Sequence, residues 1–165
     1  MTQTLTNERL FAYSPPIGLL DAINRRLLEA LRDNPRLPMT ALARRVGMSS
    51  PAVTERVRRL EEAGVIRGYR LDLDPAALGL PLTAYIRIRP NAGRLAAVAA
   101  LAEAIPEIVE CHRITGDDCF ILKVHLPSMD QLDRILDRFL AHGVTTTSMV
   151  QSSPVPLRPL PVPEP

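Results

Sequence analysis

Ser50, Thr54, Arg58 and Arg59 are the residues of this 165-residue chain best placed to do chemistry. In the run SSPAVTERVRRLEEAG, Val53, Val57 and Leu60 recur at helical spacing and define an inward stripe. Thr54, Glu55, Arg58 and Arg59 fall outside it. A hydroxyl and two guanidinium groups on one exposed helix face suit the phosphates and base edges of a major groove. Arg44 and Arg45 add donors from just upstream. Glu55 reads as a partner of Arg58 or Arg59, three and four residues on. Arg56 sits nearer the apolar flank, where a salt bridge is its expected role. Exposed arginines on an amphipathic helix are also common as a merely solvated face, so the surrounding elements matter.

Leu42, Ala43 and Val46 give a short preceding helix its apolar side. Gly47 supplies a turn, because a left-handed backbone is cheap only for glycine. Ser50 is expected to cap the next helix and Pro51 to take its first position. Gly64 stops that helix. Val65 to Leu73 reads as a strand that must pair with something. Helix, tight turn, helix and strand is the layout of a helix-turn-helix with a wing. Upstream, residues 17–34 are expected as a helix with Leu19, Leu20, Ile23, Leu27, Leu28 and Leu31 on one face, ended by Asn34-Pro35. Between Arg36 and Arg70, eight arginines stand against three glutamates, although the whole chain carries a net charge of only +2. The basic excess therefore lies in the segment expected to meet DNA.

The second half alternates. A strand over 82–89 puts Leu82, Ala84, Ile86 and Ile88 on one face. An alanine-rich helix over 94–105 ends at Pro106. Strands over 108–115 and 119–126 flank a turn at Gly116-Asp117. Pro127-Ser128 starts a helix with Leu132, Ile135, Leu136, Phe139 and Leu140 buried, and Gly143 is expected to cap it before a last strand over 144–151. The order βαββαβ is a ferredoxin-like sandwich, with helices on one face of an antiparallel sheet. The fold class is α+β. The expected division is a flexible arm (1–15), a DNA-binding domain (16–68), a linker strand and turn (69–81), the sandwich (82–151) and a Pro-rich tail (152–165). The tail holds six of the sixteen prolines and is expected to be extended or mobile.

An ordered set of these motifs resembles the Lrp/AsnC family of transcription regulators. LLDAINRRLLEALRDNPR (19–36) is similar to its opening helix, ALARRVGMSS (41–50) to the first half of its helix-turn-helix, and ERVRRLEEAGVIRGY (55–69) to its recognition helix and exit. LDPAALG (73–79) resembles its linker and ECHRITGDDCF (110–120) the central hairpin of its regulatory domain. The resemblance covers roughly residues 17–151. The residues expected to contact DNA are Arg44, Arg45, Ser50, Pro51, Thr54, Arg58 and Arg59. The resemblance implies homodimers that often assemble into octamers. It also implies an effector loop at Thr115, Gly116, Asp117, Asp118, Cys119 and Phe120, where the family carries G-D-x-D-Y. Gly116 and Asp117 match, Cys119 replaces the second aspartate and Phe120 the tyrosine. An amino acid, a different small molecule or no ligand fits such a loop, and a plain hairpin turn explains it equally. Thr145 and Thr147, on the last strand beside Thr146, could line the same pocket, or serve only β-propensity.

Other classes are constrained. Hydrophobic residues make up 46% of the chain and aromatics 4%, so the cores are aliphatic. No apolar window is long enough to span a membrane, and the N-terminus lacks the plan of a secretory signal, so a cytoplasmic protein without membrane partners is expected. Cys111 and Cys119 would lie out of register for a disulfide, with Cys111 facing Leu122 and Ile114 facing Cys119, and read as reduced, small core residues. They form no metal set with the three histidines. No catalytic set, phosphate-cradling loop or cofactor motif is present, so no enzyme is expected. Sirohaem decarboxylases look like the same architecture, but His112 and Arg113 are adjacent and would point to opposite faces of a strand. A constitutive architectural DNA-binding protein with a silent loop is the remaining alternative.

Overall fold

The computed structural model describes residues 18–163. The expected arm at residues 1–15 lies outside the described residues, as do residues 16 and 17 and the last two of the tail. The chain divides into two compact units. One extends to Leu71 and takes in the C-terminal segment from Leu157, and the other runs from Asp72 to Pro156.

The first unit holds three helices, α1 (Ala22–Asp33), α2 (Met39–Val46) and α3 (Ser50–Glu62). Leu27, Leu31, Leu42, Val46, Val53 and Val57 interlock as its core, with Ile23, Met48 and Ile66 packed against them. α1 starts five residues later than the apolar pattern suggests. Asp21 sets the boundary, its carboxylate accepting from the Asn24 N–H at 2.7 Å, so Leu19 and Leu20 precede the helix. Gly47 takes the left-handed turn at φ 70°. Gly64, at φ 71°, follows α3, and the amides of Val65 and Ile66 both donate to the Leu60 carbonyl. The expected cap at Ser50 is corrected. Ser50 is the first helical residue, Ser49 precedes it without a capping side-chain hydrogen bond, and Pro51 comes second. Proline fits anywhere in a first turn, so it does not pin the cap. The expected strand over 65–73 is also corrected. These residues form no strand, and the sheet among the described residues does not include them. Pro75–Gly79 forms the expected turn, with the Ala76 N–H donating to Asp74 at 2.9 Å.

The second unit has the expected element order, β1 (Leu82–Pro90), α4 (Leu95–Glu103), β2 (Ile108–Arg113), β3 (Phe120–Leu126), α5 (Met129–Leu140) and β4 (Gly143–Met149). The sheet is antiparallel in the order β2-β3-β1-β4. Ala84, Ile86 and Ile88 of β1 and Phe120, Leu122, Val124 and Leu126 of β3 face the helical layer. There they bury against Val98, Ala102, Leu132, Ile135 and Phe139. Ser128 caps α5. Leu140 is exposed rather than part of that helix's buried stripe, since it falls one residue beyond Phe139. Gly143 is not a helix cap either. It opens β4 opposite Pro90, and a Cβ there would collide with the Arg89 carbonyl, so close strand approach is what requires glycine. Cys111 pairs with Leu122 as expected and both cysteines are free. Cys111 is exposed rather than core, because β2 is an edge strand. Residues 157–163 of the tail contain neither helix nor strand.

Candidate nucleic-acid interface and effector loop

α3 turns Val53, Val57 and Leu60 inward and leaves Thr54, Arg58 and Arg59 exposed on its other side. Arg56 takes the flank. Its guanidinium donates to Asp21 Oδ2 at 2.6 Å and to Asn24 Oδ1 at 3.1 Å, which fastens α3 to the start of α1. Asn24 is buried and spends its own amide on the Leu19 carbonyl at 2.8 Å. Burial pushes the Asp21 carboxyl up, but the Asn24 amide and Arg56 more than offset it, leaving Asp21 below its ordinary value. The salt bridge expected of Arg56 is thus present, and it serves helix packing.

Arg58 and Arg59 are not idle. Arg58 donates through Nε and Nη2 to both oxygens of Glu55, at 2.9 and 2.8 Å, and through Nη1 to Glu62. Arg59 donates through Nε to the same Glu55 at 2.8 Å. These hydrogen bonds from Arg58 and then Arg59 hold the Glu55 carboxyl down to about 2. Glu55 is therefore an anion at neutral pH. The Thr54 hydroxyl donates to the Ser50 carbonyl at 2.9 Å, which leaves its lone pairs outward. Arg44 and Arg45 are exposed in the last turn of α2, and Ser50 and Pro51 stand at the start of α3. The structure therefore brings Ser50, Pro51, Thr54, Arg58 and Arg59 onto one helix, with Arg44 and Arg45 across a three-residue turn. Such a surface offers guanidinium and hydroxyl donors to phosphates and bases.

The hairpin between β2 and β3 passes through Gly116 at φ 111°, a left-handed backbone that glycine tolerates. The Ile114 N–H donates to the Cys119 carbonyl and the Cys119 N–H to the Ile88 carbonyl, both at 3.0 Å. Asp117 stands 3.5 Å from Arg89, and Asp118 stands 3.8 Å from both Arg87 and Arg89. Sequence reasoning missed these two arginines. Their signal is the alternation of β1, which turns Arg87 and Arg89 away from the face of Ile86 and Ile88.

The expected loop residues separate. Thr115, Gly116 and Asp117 are exposed, and Asp118 is half-buried beside the arginines. Cys119 leans on the hydrophobic core, and Phe120 lies within it, 1% exposed, with the Arg113 guanidinium 6.0 Å from its ring centre. Thr145 and Thr147 pair with Ile88 and Ile86 and so share the helix-covered face. Thr146 pairs with Arg87 on the open face. The structure does not bring Phe120, Thr145 and Thr147 together with the loop's carboxylates. What it does assemble is a turn of free backbone with two carboxylates and two guanidiniums, able to meet a zwitterion's two charges. Among the described residues, no three histidine, cysteine, aspartate or glutamate side chains gather as a metal site.

Comparison with known proteins bears on both units. Residues 20–67 match a winged helix-turn-helix DNA-binding model, and residues 83–160 match the Lrp/AsnC ligand binding domain. The chain is 39% identical over 138 residues to the proline dehydrogenase transcriptional activator of Rhodobacter capsulatus, covering 80% of this chain and 90% of that protein. The structure of Bacillus subtilis LrpC superposes with a TM-score of 0.76 at 32% identity, over 81% of this chain and 95% of LrpC. A Neisseria meningitidis transcriptional regulator solved as a complex with L-Met superposes with a TM-score of 0.79 at 29% identity, over 86% of this chain and 96% of that one.

Proposed function

The chain belongs to the Lrp/AsnC family of DNA-binding transcriptional regulators, and from that premise we propose a homo-oligomeric, sequence-specific regulator that answers a small molecule. One observation carries the reading. Thr54, Arg58 and Arg59 share the solvent face of α3, opposite its buried stripe. In this account α3 enters the major groove. Ser50, Pro51 and Thr54 approach the DNA at its N-terminal end, Arg58 and Arg59 reach phosphates or guanine edges, and Arg44 and Arg45 hold the backbone.

Tyr69, Leu71 and Leu73 support a dimer. They are exposed and alternate with Arg70, Asp72 and Asp74, the period of a half-covered strand. The same segment of a second copy is the natural partner for it. A dimer offers two recognition helices to two half-sites and gains affinity by effective concentration. Higher assembly, such as an octamer, extends the same logic. The proposed DNA partner supports a cytoplasmic location. Among the described residues, no helix is long and apolar enough to cross a membrane.

The second unit is proposed to bind an amino acid or a related small molecule at Thr115, Gly116, Asp117 and Asp118, with Arg87 and Arg89 completing the charge pattern. The ligand would act by shifting the assembly or the spacing of the recognition helices. A second reading has its own observation. Cys119 and Phe120 are spent on the core, which favours a constitutive DNA-binding protein with a silent loop. No catalytic role is proposed.

The test is binding of the purified full chain to DNA from upstream of its own gene, with and without each of the twenty amino acids. Salt-sensitive binding that one amino acid changes supports the responsive regulator. Binding that none changes favours the constitutive reading. Absence of binding at low salt overturns both.

A further inference from the structure

We propose that Glu55 is a specificity-determining residue, which withholds Arg58 from indiscriminate phosphate binding while aiming Arg59 outward. This rests on the reading of α3 as the helix that meets DNA. The geometry is asymmetric. Both arginines share one carboxylate, but they spend different parts of their guanidinium groups on it. Arg58 commits Nε and Nη2 to Glu55 and Nη1 to Glu62, so each of its three nitrogens already donates. Arg59 commits Nε, at 2.8 Å, and among the described residues its two Nη groups make no hydrogen bond.

The two consequences differ. A phosphate that recruits Arg58 must first part it from two carboxylates, and that cost is the same for every DNA sequence. It subtracts from non-specific binding, which runs on phosphate contacts. A guanine edge that recruits Arg59 needs two parallel donors at O6 and N7, which the Nη pair supplies without breaking the anchor at Nε. The anchored guanidinium has fewer rotamers to lose on binding. Glu55 thus penalises the sequence-independent mode and prepares the sequence-dependent one. Its carboxyl, held near 2 by these same hydrogen bonds, supplies the charge at any pH at which the protein would meet DNA.

The experiment measures binding of the full chain to a pool of random-sequence duplexes across a potassium chloride titration, with sequencing of the bound fraction. Glu55→Gln keeps the shape and removes the charge. It is expected to bind the pool about three- to tenfold more tightly, to steepen the salt dependence by about one counterion, and to select a flatter motif. Glu62→Gln, which releases only Nη1 of Arg58, is expected to tighten pool binding less and leave the motif intact. Glu29→Gln removes the same charge from the exposed side of α1 and controls for net charge.

Unchanged pool affinity and an unchanged motif in Glu55→Gln would overturn the proposal. An equal gain in Glu29→Gln would also overturn it, since the effect would then be net charge alone. If neither Arg58→Ala nor Arg59→Ala weakens binding to the pool, α3 is not the DNA-contacting helix and the underlying reading falls with it. Circular dichroism of each variant at the binding temperature confirms that the helical content is retained.

Discussion

On α3 a single carboxylate accepts from Arg58 and Arg59 at 2.8–2.9 Å, whereas at the β2–β3 hairpin two carboxylates stand 3.5–3.8 Å from Arg87 and Arg89. The chemical groups, carboxylate and guanidinium, are the same and the construction differs. The α3 cluster is local: positions three and four apart on a helix are neighbours by geometry, so the chain cannot form α3 without bringing these side chains together. The hairpin cluster is topological. It exists because β3 docks antiparallel on β1 in a register that puts Phe120 opposite Ile88, which carries the loop's carboxylates to the end of β1. A local cluster has its hydrogen bonds made before any ligand arrives. A topological one, with longer and more open pairs, leaves charge available to be matched.

The hairpin depends on its core anchor, and that dependence gives the largest expected effect. Phe120→Ala should destabilise the second unit by about 3–5 kcal/mol, because the ring fills the interior rather than a ligand pocket. Chemical denaturation followed by circular dichroism checks this. A loss below about 1 kcal/mol, accompanied by a changed ligand response, would return Phe120 to the site and collapse the distinction between anchor and loop.

Asp118→Asn should act far more weakly on stability, by about 0–1 kcal/mol, since its pairs with Arg87 and Arg89 are long and partly solvated. Thermal unfolding measures it. A large loss would mean that the hairpin cluster is structural in the way the Asp21–Arg56 pair is.

The finest distinction is electrostatic. Glu55 has its carboxyl lowered by Arg58 and Arg59, so the cluster's contribution to stability is fully present above the ordinary carboxylate value. It is lost only as the pH falls from there toward about 2. The carboxyl carbon of Glu55, followed by NMR through an acid titration, should still report an anion at pH 4. For Asp117 and Asp118 the structure gives no comparable network of short hydrogen bonds. A Glu55 titration near its ordinary value would show that these hydrogen bonds do not hold the α3 cluster together.

The same contrast explains what was legible in the sequence. The pairing of Glu55 with Arg58 and Arg59, the Arg56 salt bridge, the Gly47 turn and the alternation of β1 all follow from short-range spacing. The features that escaped depend on what lies opposite. Thr145 and Thr147 were grouped with the loop, yet their register against Ile88 and Ile86 turns them to the helical layer, and Thr146 faces Arg87 instead. Phe120 was assigned to the site by its place in the family pattern, while its period with Leu122, Val124 and Leu126 placed it in the core. Gly143 looked like a helix cap and proved to be the close contact between β4 and β1. The segment over 65–73 has strand composition but pairs with no strand among the described residues, and composition cannot supply a partner. The alternation of β1 turns Arg87 and Arg89 to the open face, but their meeting with Asp117 and Asp118 depends on the docked hairpin, which local spacing does not give.

The central claim is that the exposed face of α3 is the DNA-contacting surface. Its most direct test is the salt dependence of DNA binding for the full chain against Arg58→Ala and Arg59→Ala. The account predicts that Arg59→Ala, which removes the guanine-reading donors, weakens binding to the preferred site about tenfold or more near physiological salt, and that Arg58→Ala weakens binding less and lowers the salt slope by less than one. Affinity and slope that match the unsubstituted protein in both variants would contradict it.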